Sequence, residues 1–484
     1  MPPSIKPRLL ACAAAAALVS ACAAVGPNFQ APAPPTTPGY AMAGDIAPAA
    51  SQISANAEAA GQWWRAFGSP DLDRVVGQAL TDSPTLAQAD ATLAQAQDTT
   101  AAALGLRGPD GAVSAGAQRT KINAAAYGFT GFPSPTIWQY AIGGNIAYDL
   151  DLYGGRRRQI ENAQAMQEAQ AWRAKAAYLS LTGNVALQAV QIATLRAQIA
   201  AIQGVIGLDN DNLAFIRKAQ AAGAAAPAAL ITARAQIVQD QALLPELNQR
   251  LAEARHALGL LVGQAPADWS APAFDLEQLR LPGAIPVELP SQLVRRRPDI
   301  LAAEADLHAA TAAIGVQAAQ LYPDVKLNAG LTQTALEPQR LFDYGFTGWN
   351  VGPSLNLPLF GRAALKARQQ AAEDAAKASL AQYRQTVLTA FTQVSDLLQA
   401  LTNDAAAVSA QDEAQRVAQA DLKNIQFAYQ NGGGNLVDVT QAQRRLSETR
   451  QAYALAEGQR LADAVRLYVA TAADWQAPAQ TAAR

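Results

Sequence analysis

Two side chains in this sequence carry a thiol, Cys12 and Cys22, and a thiol can serve as nucleophile, metal ligand or point of covalent attachment. Cys22 sits where the last use fits. Lys6 and Arg8 precede an apolar run from Leu9 to Ala21, and Leu18-Val19-Ser20-Ala21 brings small residues up to the cysteine. A basic start, an apolar stretch too short to span a bilayer and small residues at its end make an export signal. The mature chain is expected to begin at Cys22 with lipid such as palmitate attached there. Cys12 has almost no apolar run before it and leaves with the signal, so no thiol remains for a disulfide or a metal. The two histidines, His256 and His308, stand alone in helical stretches and are expected to be surface or packing residues. No nucleotide loop, metal cluster or nucleophile constellation is visible. No enzymatic activity, no metal and no cofactor beyond the lipid on Cys22 are expected.

The elements that carry these residues are built from small side chains. Only 16% of the 484 residues are charged and 6% aromatic, which leaves alanine to fill closely packed helices. The formal net charge is -2, falling to about -4 once Lys6 and Arg8 are removed, so nothing is built to hold nucleic acid. Arg295, Arg296 and Arg297 are expected to pair with neighbours, while Pro298 starts a helix and Asp299 complements its dipole. Past the signal, no apolar run is read as approaching the roughly 20 residues of a membrane helix, so a membrane crossing would have to use strands.

The stretch from 22 to 61 is rich in Pro, Ala and Gly and reads as an extended, lipid-anchored tether. A folded body begins near Trp63-Trp64, which should anchor it. A short helix follows over Asp71 to Leu80, and Ser83-Pro84 opens another, with Ser at the cap and Pro at the first position. From Ile137 to Leu152 the even positions Trp138, Tyr140, Ile142, Ile146, Tyr148, Leu150 and Leu152 are apolar or aromatic, against Gln139, Asn145, Asp149 and Asp151. That is a strand with one apolar and one polar face. The alternation recurs from Val325 to Leu331 and from Trp349 to Leu357, and more weakly from Val113 to Arg119. These make two hairpins, with Trp138, Tyr140, Tyr148 and Trp349 expected as a membrane girdle. Half-buried strands of a soluble sheet would show the same alternation.

Helical periodicity then returns over very long stretches. Ile192, Leu195, Ile199, Ile202, Ile206, Leu213 and Ile216 follow steps of three and four, broken by the polar Asp209, and Leu244, Leu247, Leu251, Ala254, Leu258 and Leu261 continue the pattern. A helix from about Arg156 to Ala221 would be about 100 Å long. Leu152-Tyr153-Gly154 is answered by Leu359-Phe360-Gly361, and the turn at 219–223 by that at 429–433. The chain reads as a tandem repeat. The signal occupies 1–21, the anchored segment 22–61, the first repeat 62–268 and the second 269–475, with a tail at 476–484. Within the repeats, hairpins are expected at about 112–152 and 324–359, a helix at about 298–321, and long helix pairs at about 155–263 and 361–470.

Four strands cannot close a transmembrane barrel, which takes about eight at least, and an open edge in lipid leaves backbone groups unpaired. Two copies would give a barrel filled by its own side chains, and three a barrel with a lumen. The fold class expected is α+β: a long antiparallel coiled-coil helical barrel plus a four-strand share of a transmembrane β-barrel, trimeric.

Several motifs, taken together, resemble the TolC-type outer-membrane factors, in the lipoprotein subgroup often called NodT-like. They are Cys22 with Val25-Gly26-Pro27, Trp63-Trp64 with Phe67 and Leu72, Asp149-Leu150-Asp151-Leu152-Tyr153-Gly154, Leu289-Pro290-Ser291, Arg296-Arg297-Pro298-Asp299-Ile300 with Ala303-Glu304, Ile314-Gly315 and Tyr322-Pro323. The resemblance spans essentially the whole mature chain. It implies a homotrimeric exit duct of a tripartite efflux pump in the outer membrane, extending into the periplasm. Its partners would be a periplasmic adaptor of the membrane-fusion type, an inner-membrane transporter of the resistance-nodulation-division type, and outer-membrane lipid. Ala23, where an Asp would favour retention in the inner membrane, accords with export to the outer one. Drugs, toxic organics or metal ions would be the cargo. A duct for type I protein secretion and a lipid-anchored coiled-coil scaffold without a pore are the alternatives. The resemblance also puts Asp438 at a pore constriction, together with Tyr429 and Gln441. Ala229 stands opposite Asp438 in the first repeat, and Gly434 replaces a basic residue of some relatives, so an extensive salt-bridge network at the constriction is in doubt.

Overall fold

Proline placement and alanine content set the helices. Nine of them are described, and α1 Pro70–Asp82, α2 Pro84–Gly105, α4 Pro227–Gln241, α6 Pro290–Leu293 and α7 Pro298–Ala319 all open on proline, whose missing N–H costs nothing in a first turn. The others are α3 Gly155–Ala221, α5 Leu244–Val262, α8 Arg362–Gln430 and α9 Leu436–Ala470. The computed structural model describes residues 24–472 apart from 38, 46–52, 55–60, 129, 132, 284 and 288. The expected signal, the expected lipid site Cys22 and the tail at 476–484 lie outside the described residues.

The chain forms two compact units. The first comprises Leu93–Gln170, Ala303–Tyr383 and the described residues up to Pro32. It holds a four-stranded antiparallel sheet in the order β2 (Asp110–Lys121), β3 (Thr136–Asp149), β5 (Asp324–Ala335), β6 (Thr347–Asn356). Residues 24–29 are pinned to this unit. The Val25 N–H donates to the Tyr153 carbonyl at 2.9 Å, and the buried Arg158 donates to the carbonyls of Val25 and Gly26 and to Asn28 Oδ1. Phe29 stacks on His308 at 4.4 Å, and His308 Nε2 lies 3.1 Å from Glu161. The strap can lie this close because Gly26, at φ +89°, meets Gly315. A Cβ on Gly315 would come within 2.6 Å of Arg158 Cγ and 2.8 Å of the Val25 carbonyl. Gly315→Val is therefore expected to lift the strap at a cost of about 1–3 kcal/mol. Limited proteolysis would read this as faster cleavage before residue 33; an unchanged cleavage rate would contradict it.

The second unit comprises Ala171–Ala302 together with the described residues of Ala33–Thr92 and Arg384–Arg484. Its helices include α1, α4, α5 and α9 and the larger parts of α3 and α8. Trp63, Trp64 and Phe67 are fully buried, with Trp63 stacked on Tyr468 at 5.4 Å, and Trp64 Nε1 donates to Asp73 at 3.0 Å. α3 and α9 approach closely at glycines: Gly458 lies against Thr194, and a Cβ at Gly183 would be 2.5 Å from Val469. The two-residue strands β1 (Ile53–Ser54) and β4 (Ile285–Pro286) pair in parallel.

Several expectations are corrected. β3 stops at Asp149, short of Leu152, because Asp149 and Asp151 accept the N–H groups of Asp151, Arg156 and Arg157 and turn the chain into α3, with Asp151 at φ 44° and Gly154 at φ 73°. The weak alternation at Val113 to Arg119 belongs to a full strand of 12 residues, β2. The partner of α3 is two helices, since Pro245 has no N–H for an i→i−4 bond and the chain breaks at Ala242-Leu243. Ser83 does not cap α2 with its hydroxyl: it closes α1, its N–H donating to Ala79 at 3.0 Å, while its buried Oγ has no partner. Finally, α3 contains an 18-residue stretch of mean hydropathy 1.4, long and apolar enough by composition to cross a membrane. Burial of 67% of that stretch gives its apolar character a packing role.

Candidate functional site

The sheet registers its apolar residues onto one face. Tyr148 pairs with Leu327 and Leu327 with Pro353; Ile146 with Ala329 and Ala329 with Val351; Gly144 with Leu331 and Leu331 with Trp349. The opposite face carries Asn145, Gly330 and Asn350 in one row and Ala147, Asn328 and Gly352 in another, with Asn328 donating to Ser354 at 2.8 Å and Gln118 to Gln139 at 3.0 Å. The apolar face is unfilled within the chain: Trp349 and Val351 are each 73% exposed, and Ile146, Leu331 and Leu355 are exposed too. Trp138 and Tyr140 stack at 6.1 Å near one end of β3 and Tyr148 lies near the other, whereas Trp349 falls in register with the middle of β3.

The two helix turns share one hydrogen-bond pattern. Gly223 and Gly432 take φ +73° and +80°; each donates to the carbonyl three residues back, Gln220 and Tyr429, and the residue after each donates to the carbonyl five back, Ala219 and Ala428. This is a Schellman motif, which uses glycine because φ is positive. The next helix starts four residues beyond each glycine, at Pro227 and at Leu436. Asn435 caps the second by accepting the Asp438 N–H at 3.0 Å, which places Asp438 in the first turn of α9, where the helix dipole favours a carboxylate. Tyr429 closes α8, packs edge-on to Phe215 at 5.5 Å, and has its phenol acidity weakened by burial. Gln441 is exposed, three residues past Asp438 on the same helical side. Gly434 sits tightly against the end of α8, since a Cβ there would lie 3.1 Å from the Tyr429 nitrogen.

Other groups were less visible in the sequence. Arg297, buried, donates twice to Asp299 at 3.0 and 2.6 Å, to the Ala470 carbonyl at 2.9 Å and to Gln393 at 3.0 Å. Two aspartate pairs lie among the long helices. Asp404, opposite Asp463, is pushed up to about 6 by burial and then by Asp463, with Arg460 and Arg466 opposing. Asp209, opposite Asp240, is pushed up to about 7 by burial and then by its hydrogen bond to Asp240 and the charge there. Asp209 had a sequence signal, the polar break in an apolar seam; Asp404 had none. Among the described residues no cluster of three or more His, Cys, Asp or Glu side chains is placed to hold a metal ion.

Comparison with known proteins places this geometry. The family model for outer membrane efflux proteins matches residues 75–264 and 289–473. The pyoverdine export outer membrane protein OpmQ of Pseudomonas aeruginosa is 29% identical over 483 residues, covering 96% of this chain and 98% of that one. Nodulation protein T of Rhizobium leguminosarum bv. viciae is 29% identical over 479 residues, covering 97% and 94%. Among solved structures, the outer-membrane channel OprN superposes with a TM-score of 0.84 at 25% identity, covering 92% of this chain and 98% of that one.

Proposed function

The chain belongs to the outer membrane efflux protein family, and from that premise we propose that three copies assemble into a passive exit duct for small molecules. It is an outer-membrane protein of a transport family and not an enzyme. The finer reading is a tandem repeat in which each half gives one hairpin to a shared transmembrane barrel and one long helix pair to a periplasmic helical barrel. A lipid on Cys22 anchors the mature start. A periplasmic adaptor and an inner-membrane transporter complete the pump and choose the cargo.

One observation carries this reading: a four-stranded sheet whose rows Tyr148-Leu327-Pro353, Ile146-Ala329-Val351 and Leu331-Trp349 gather on one face, with β2 and β6 as open outer strands. A single copy would leave both edges unpaired in lipid, whereas three copies supply twelve strands and a lumen. The relatives point to the cargo class, since one of them is a pyoverdine exporter. At the periplasmic mouth, three Asp438 carboxylates favour cations.

Purified protein in planar bilayers tests both levels. Stepwise single-channel conductance is expected, with cation preference and block by divalent ions. Asp438→Ala should keep the conductance steps and lose the preference and the block. Absence of any conductance from the intact protein would refute the duct; unchanged selectivity in the variant would remove Asp438 from the constriction.

A further inference from the structure

Asp209 interrupts the apolar seam of α3 and is 4% exposed. Across from it on α4 stands Asp240, next to the cluster in which Leu213 of α3 packs with Ile237 of α4, so the two carboxyl groups face each other where the helices meet. Two ionised carboxylates offer only acceptors, so a hydrogen bond between these groups requires a proton on one of them. The surroundings decide which group keeps it. Asp240 accepts from Gln236 Nε2 at both oxygens, at 3.1 and 3.0 Å, and Gln236 Oε1 in turn accepts from Arg444 of α9 at 2.7 Å. Asp209 Oδ2 is buried with no partner. The anion is therefore supported on Asp240, and the proton belongs on Asp209.

The charged groups that face the pair do not offset it. From α4 comes Asp240, of the same sign. From α9 come Arg444, directed at Gln236, and Arg450, whose Nη1 would lie 3.7 Å from a Cβ on Gly204, more than one helical turn before Asp209.

The element that responds is α4. It has 15 residues, bounded by the glycine turn on one side and the break at Ala242-Leu243 on the other, so it can move without bending a longer helix. Its buried residues are Ala233, Gln236 and Ile237, and Gln236 is itself part of the polar network. Ala233 and Ile237 pack with Leu213 and Ile216 of α3 in a small apolar cluster. Ile206 of α3 and Ala229 and Leu230 of α4 pack against the same cluster, and the carboxyl pair ties the two helices together at its far end.

We propose that Asp209 and Asp240 form a proton-operated clasp that holds α4 on α3 while one proton is shared and frees α4 when that proton leaves. The sign follows from Asp209, whose acidity in the fold is weaker than the ordinary value of 3.8 and reaches about 7. The hold is complete in acid, weakens as pH rises, and is lost through about pH 7. Nothing in this inference depends on conduction, so failure of the duct would leave it standing.

The test is hydrogen–deuterium exchange on the full-length protein in lipid nanodiscs, with rates corrected for intrinsic pH dependence. Protection of residues 227–241 should fall about tenfold between about pH 6 and about pH 8, a deprotonation shifting the opening equilibrium by up to tenfold per pH unit, while α5 stays constant. Asp209→Asn should abolish the dependence, because its amide donates to Asp240 at every pH. Asp240→Asn should do the same and serves if the first variant fails to fold. Infrared difference spectra between the intact protein and Asp209→Asn should also isolate a protonated carboxyl band at about pH 6 that fades by about pH 8, separate from that of Asp404. Protection of α4 independent of pH, or a slope that survives in either asparagine variant, would overturn the clasp.

Discussion

Val351→Lys is expected to abolish accumulation of the assembled protein in the outer membrane, whereas Asn350→Lys, one residue away, should leave it near normal. The two positions lie on opposite faces of β6, Val351 in the row with Ala329 and Ile146, Asn350 in the row with Gly330 and Asn145. In the proposed barrel the first row meets lipid and the second meets the lumen. A lysine at the bilayer midplane of a β-barrel costs about 2–4 kcal/mol, and every subunit of the trimer bears that cost. In a water-filled lumen the same charge is solvated and costs little. Heat-modifiable trimer recovered from outer-membrane fractions is the measurement. Equal yields of the two variants would mean that the apolar row does not face lipid.

Arg297→Ala is expected to destabilise the helical unit by about 2–4 kcal/mol. The side chain is 9% exposed and its guanidinium holds three partners at once: Asp299, the Ala470 carbonyl at the end of α9, and Gln393 of α8. Asp299 is 42% exposed and can be rehydrated, so its lost ion pair contributes little. The cost comes from the others, since a buried carbonyl left without a donor costs about 1–3 kcal/mol, and the emptied volume adds to it. Arg297→Lys should recover less than half, because an ammonium cannot span a bidentate carboxylate and two further acceptors. Urea unfolding followed by tryptophan fluorescence reports this directly, since Trp63 and Trp64 lie in the core of the same unit. A variant as stable as the parent would show that the arginine is incidental.

What could be read beforehand divides along physical lines. Periodicity exposed the strands and long helices, because one side of each is apolar over many residues, and Trp63, Trp64 and the seam from Ile192 to Ile216 are buried as their pattern implied. Proline and glycine marked the helix starts and the two turns. What the pattern missed is local chemistry that overrides it. β3 ends early because Asp149 takes the Asp151 N–H and Asp151 takes those of Arg156 and Arg157 at the start of α3, and Ser83 ends one helix and opens the next through its carbonyl, not its hydroxyl. Of the proposed constriction, Asp438 and Tyr429 were legible as neighbours of a glycine turn. The Asp209–Asp240 pair was half legible: the break in the seam could be seen, its partner could not, since 31 residues and a turn separate the two in sequence. Arg297 looked like one of three equivalent arginines until burial singled it out.

The matched turns at Gly223 and Gly432 bear on how such a protein changes its preferences over time. The backbone at Ala229 already has the conformation that carries a carboxylate at Asp438, each lying six residues past its glycine. In the proposed trimer, a lone change of Ala229 to an acid would turn a threefold distribution of charge at the mouth into a sixfold one, with no refolding required. Ion preference in this lineage is thus open to adjustment in single mutational steps, decoupled from the parts that make the protein stable.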